Sequence, residues 1–106
     1  MAKEVFRKLF RRRQRFIRAA DDAVAEAAQI SSQPETGRKL RNAASAAKKC
    51  EWAATLYRSA GLGLLAKEQF AAASRYYCLC RDQERARLNQ ERWTAVPTYW
   101  EDDKTA

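Results

Sequence analysis

The sequence predicts an all-α fold: three main helices, at about residues 3–30, 34–60 and 64–92, packed as an antiparallel bundle or hairpin and followed by an irregular tail. Ala, Arg, Lys, Glu and Gln dominate a 106-residue chain that has three Gly and two Pro, and these residues are strong helix formers. β-branched residues are few, which argues against strands. Apolar residues recur at three- and four-residue steps over long runs, the period of a helix with one buried face. The length suits one domain, residues 1–92, with residues 93–106 as its acidic and aromatic tail. Of the apolar residues 21 are Ala and only 13 are Leu, Ile or Val, so the core is modest in buried area.

In the first helix Phe6, Leu9, Phe10, Phe16, Ile17, Ala20, Val24, Ala27 and Ala28 form one apolar stripe. The segment SSQPETG, residues 31–37, breaks it with Ser, Pro and Gly. Ser32 with Glu35 has the spacing of a capping box that restarts a helix. The second helix places Leu40, Ala43, Ala44, Ala47, Ala54, Tyr57 and Ala60 inward. Side chains this small allow close approach, so the neighbouring helices must supply the bulk. Gly61 and Gly63 supply the next break and a C-cap. The third helix carries Leu65, Phe70, Ala73, Tyr77, Cys80 and Leu88. From Trp93 onward Pro97, three acids and the loss of periodicity mark the tail, with Tyr99 and Trp100 placed to fold back on the helices.

Several chemistries are excluded. The chain has no His, so the commonest general base and metal ligand is missing. Cys50, Cys78 and Cys80 lack zinc-ligand spacing, and Cys78 and Cys80 are too close for an ordinary bridge within a helix, so reduced thiols are expected. No phosphate loop, dinucleotide turn or nucleophile elbow occurs. The acid pairs are adjacent in sequence rather than convergent. A catalytic site, a cofactor and a metal are therefore not expected. No apolar run is long enough to span a membrane, and a secretory signal is lacking, so a cytoplasmic location is expected. An Arg-rich start also suits a mitochondrial transit peptide, but the helical period runs on into Asp21 and Asp22.

Charge carries the functional signal. Residues 1–18 hold eight Lys and Arg and one acid, giving +7 of the formal +8. Arg7, Lys8, Arg11, Arg12, Arg13, Arg15 and Arg18 are the candidate binding residues, set mostly off the apolar stripe. A basic helix of this kind faces a polyanion or an acidic partner. Arg is informative, because its planar fork grips phosphate or carboxylate where a merely solvated face could use Lys. Nucleic acid, an acidic protein, a solubilising face and an anionic membrane surface entered by Phe6, Leu9, Phe10 and Phe16 are the readings this pattern admits.

The segment 40–81 contains Ala53-Ala54-Thr55-Leu56-Tyr57 followed by Ala60, then Phe70-Ala71 and Tyr77-Cys78. In these elements it resembles the ANR family, small bacterial negative regulators of AraC-type transcription activators. Lys49-Cys50-Glu51-Trp52 departs from the family pattern, shifting its aromatic, and the Arg-rich first helix lies outside it. The resemblance implies a regulator without enzymatic activity that contacts a transcription factor, with self-association as a further expectation. Trp52, Leu56, Tyr57, Ala60, Phe70, Ala73 and Tyr77 are also similar to a single tetratricopeptide-like hairpin, without a second copy at a 34-residue period. Trp52, Ala54, Leu56, Tyr57, Ala60, Phe70, Tyr77 and Cys78 are the motif residues, expected to pack the scaffold. The expected function is thus that of a small regulator binding a protein partner, a transcription factor or other host protein. A direct nucleic-acid binder and a phage-type inhibitor of a host protein are the alternatives.

Overall fold

The second predicted helix is the poorest in bulk, and it lies between two others. In a computed structural model, which describes residues 2–32 and 39–97, four helices follow in order: α1 (Ala2–Ser31), α2 (Lys39–Ser59), α3 (Gly63–Leu79) and α4 (Gln83–Ala95). Among the described residues there is no strand. The residues predicted to open the second helix, Pro34 to Arg38, including the capping-box Glu35, lie outside the described residues. Ser32 serves the helix it follows: its hydroxyl donates to the Gln29 carbonyl at 2.9 Å.

Helix α1 runs antiparallel to α2. Arg13 meets Ala60, Asp21 meets Tyr57 and Glu26 meets Lys49, one sequence rising as the other falls. Ala43, Ala46, Ala47, Cys50, Ala53, Ala54, Leu56, Tyr57 and Ala60 of α2 and its C-terminal turn are all buried. This is a wider arc than the inward face expected from sequence, because α2 is sandwiched between α1 and α3. Ala44 is only partly buried. Two apolar clusters result. One joins Ala20, Ala23, Leu56, Tyr57, Leu62, Phe70 and Val96; the other joins Ala27, Ala46, Ala47, Cys50, Tyr77 and Ala86.

The predicted third helix is two helices. The chain turns at Cys80-Arg81-Asp82, where Arg81 has φ +63°. Its amide donates to the Cys78 carbonyl at 3.1 Å, and the Asp82 amide reaches back to Tyr77 at 2.8 Å. These two bonds form a Schellman turn built without glycine. The Asp82 carboxylate then caps α4 by accepting the Arg85 amide at 3.2 Å, satisfying a donor that the first turn leaves free.

The same turn occurs twenty residues earlier. Gly61 has φ +79°, its amide donates to Arg58, and the Leu62 amide reaches Tyr57 at 2.9 Å. Leu62 and Asp82 share nearly the same backbone angles, φ −98° and −96° with ψ 79° in both. Tyr57 and Tyr77, Ala66 and Ala86, and the buried polar pair Gln69 and Asn89 occupy equivalent places. The chain therefore repeats one helix–turn–helix junction at a period of 20 residues.

Helix α4 extends through residues 93–95, so the irregular tail begins after Ala95 rather than at Trp93. Val96, extended at φ −73° and ψ 125° as residues before proline prefer, buries its side chain in the first cluster. Tyr99 and Trp100 lie outside the described residues. Across the bundle Asn89 of α4 donates to Glu51 of α2 at 2.8 Å, and the Arg92 guanidinium joins the same carboxylate at 3.3 Å.

Candidate binding surface

Helix α1 outruns the bundle. Each side chain from Lys3 to Arg12 is exposed. The first tie is at Arg13, whose Nε donates to the Ala60 carbonyl at the end of α2, at 2.9 Å. From Phe16 and Ile17 onward the apolar stripe packs on α2 and α3. The overhang of about ten residues is therefore about 15 Å long.

Its apolar stripe does not stop where the packing stops. Val5, Phe6, Leu9 and Phe10 are 58%, 73%, 57% and 61% exposed, yet they continue in phase with Phe16, Ile17 and Ala20, which face the core. At 3.6 residues per turn these side chains fall within about 140° of arc. Lys3, Arg7, Lys8, Arg11, Arg12, Arg15 and Arg18 cover roughly the opposite half of the helix. All seven are exposed, and the Arg12 guanidinium lies 5.8 Å from the Phe16 ring centroid, within cation–π range. Where α1 leaves the bundle, Leu9, Arg12, Arg13, Phe16 and Ser59 line an open hollow of about 460 Å³. The same end of the bundle exposes Leu64 and Leu65 at the start of α3.

The predicted binding residues divide. Arg7, Lys8, Arg11, Arg12, Arg15 and Arg18 stand on the open arc. Arg13 sits within the apolar arc, half-buried, and ties the root of the overhang to the end of α2. Phe6, Leu9 and Phe10 of the predicted stripe are exposed, because α2 ends before it reaches them. Ala28 is exposed and Ala23 takes the buried place.

The predicted motif residues also divide. Ala54, Leu56, Tyr57, Ala60, Phe70 and Tyr77 are buried in the two clusters. Trp52 does not pack the scaffold: it is 56% exposed, on the side of α2 away from both neighbours. Cys78 is exposed as well, at the last turn of α3. Leu88, carried by the predicted third helix, is 41% exposed on α4, because the turn at Arg81 resets the helical phase.

Buried titratable groups are held neutral. Burial pushes the Cys50 thiol up to about 11. Burial raises Tyr57 above the usual tyrosine value, and its hydrogen bond to the Asp21 carboxylate adds to the effect. Tyr77 is raised by burial and by the Glu51 charge. Among the described residues no three His, Cys, Asp or Glu side chains are grouped to hold a metal ion. No described helix is long and apolar enough to cross a membrane. Glu51 and Asn89 were missed by sequence reasoning. No motif marks them, and their pairing requires knowing that α4 returns alongside α2.

Comparison of the chain with protein-family models, with curated proteins and with solved structures gives no match.

Proposed function

We propose that this chain is a non-enzymatic regulator that acts by binding an acidic protein partner through the overhang of α1. The observation that carries the reading is the pairing of four uncovered apolar side chains with five exposed cations on the overhang, continued by Arg15 and Arg18. Charge alone would serve a polyanion, and apolar residues alone would serve any hydrophobic face. The combination suits a protein surface offering both, where buried apolar anchors supply affinity and opposite charge supplies on-rate and choice of partner. The ANR resemblance of residues 40–81 suggests a transcription factor as that partner. Its buried motif residues would then maintain the scaffold that presents α1.

The test is affinity capture of tagged protein with nuclease present, comparing the native chain with an Arg11→Glu, Arg12→Glu, Arg15→Glu variant. Arg13 is left intact because it braces the helix. The native chain should retain a stoichiometric protein band that the variant loses, with both giving the same circular dichroism spectrum. A band kept by the variant would remove the basic arc from the function. The basic half-cylinder favours nucleic acid as the second reading, under which capture ends with nuclease and affinity for a duplex falls log-linearly with salt.

A further inference from the structure

The open end of the molecule has a shape as well as a composition. Helix α2 covers the stripe of α1 from Phe16 onward and ends beside Arg13. Beyond that point the stripe continues through Leu9, Phe10, Phe6 and Val5 with nothing against it among the described residues. The overhang and the end of α2 thus make a notch, with the hollow of about 460 Å³ at its corner. We propose that the occupant of this notch is an amphipathic helix of the partner, acidic along its flanks and apolar on one face, lying in the line of α2. This rests on the protein-binding reading above and adds the secondary structure and charge of what is bound.

Three observations select this occupant. A flat lipid surface approaching the stripe meets the body of the bundle, because the stripe faces the side of α1 on which α2 lies; packed helix axes are about 8–10 Å apart, so the body stands proud of the stripe. A second copy of this chain brings seven more cations to the same place, and like charges at close range repel. A nucleic-acid duplex satisfies the cations and leaves Val5, Phe6, Leu9 and Phe10 in water. A helix with acids beside its apolar face satisfies both arcs. It would seat against the overhang as α2 seats on the rest of α1, through a 3–4 spaced set of anchors.

The test uses a labelled 18-residue synthetic peptide with Leu at helical i, i+3, i+4 and i+7 steps and Glu elsewhere. A scrambled peptide of the same composition is the control, and phosphatidylglycerol vesicles and a DNA duplex are tried as competitors. Binding to the full chain is read by fluorescence anisotropy. The amphipathic peptide should bind saturably, at least tenfold tighter than the scrambled one. A Phe6→Ser, Phe10→Ser variant, whose melting curve should match that of the native chain because both side chains are exposed, should lose that preference. Equal binding of the two peptides, failure of the amphipathic peptide to bind, or displacement by vesicles or DNA at lower charge-equivalent concentration would overturn the proposal. If the serine variant keeps its captured protein while the arginine variant loses it, the partner is acidic but not seated on the stripe. If both keep it, the partner binds elsewhere on the molecule and the reading that seats it on the overhang of α1 fails.

Discussion

Tyr57 links burial to charge at a single residue. Its ring lies in the first cluster and its hydroxyl donates to the Asp21 carboxylate of α1. Tyr57→Ala should lower stability by roughly 3–5 kcal/mol, the scale of a large aromatic truncation in a core. Tyr57→Phe should cost about 1 kcal/mol, since only the hydrogen bond is lost. Urea titration of both variants separates the two contributions. Cys50 makes a different prediction. Its thiol ionises near 9.0 in a reference chain and near 11 in the folded protein, so between those values the unfolded chain has released a proton that the native state still holds. Stability from this group is complete below pH 9 and is lost as pH rises toward 11, by on the order of 2 kcal/mol. The Tyr57 hydroxyl, raised in the same sense, extends the loss above pH 10. Cys50→Ala should flatten the decline between pH 9 and 11; an unchanged slope would show that the thiol takes no part.

At the scale of elements, the two Schellman turns form a natural comparison. Gly61 and Arg81 hold the same left-handed backbone, which glycine adopts freely and a side chain resists. Arg81→Gly should raise stability by about 0.5–1 kcal/mol, and Gly61→Ala should lower it by about 1 kcal/mol. No neighbour lies within 4 Å of a Cβ built at Gly61, so the second figure reports backbone strain alone. Equal melting temperatures across the native chain and both variants would contradict this account. The same pair explains what was legible in the sequence. The break at 61 carried a glycine and was expected. The break at 81 carried an arginine inside an unbroken run of helix formers, so one helix was expected where two exist. A signal was available: Asp82 with its first-turn partner Arg85, and Tyr, Ala and buried-polar positions recurring at a spacing of 20. The bundle as an all-helical unit followed from composition and period, because these are local properties. The exposed end of the stripe was not legible, since periodicity records which face is apolar but not how far the covering helix reaches. Trp52 failed for a related reason: α2 has two neighbours, and the sequence does not say which side remains open.

Taken whole, the molecule is elongated, 56 × 25 × 19 Å, with its charge concentrated at the end where packing is absent. Under the proposed reading, a notch with a basic edge would put the approach and the seat of an acidic partner in one place, so that steering by charge would lead directly to apolar contact. The same feature bears on the chemical durability of the chain. Peptide bonds following Arg7, Lys8, Arg11 and Arg12 lie on a helix end without tertiary contacts among the described residues, where local opening costs least, whereas those following Arg58 and Arg87 belong to packed hairpins. Limited trypsin digestion of the free protein should therefore cut first between residues 7 and 12, as read by mass spectrometry; a first cut at Arg58 would contradict this order. Such a cut removes part or all of the uncovered stripe while leaving the bundle from Phe16 onward joined, and a helix seated in the notch as proposed would shield the scissile bonds. The unsupported end of α1 would thus make proteolytic survival of the proposed binding surface depend on its being occupied.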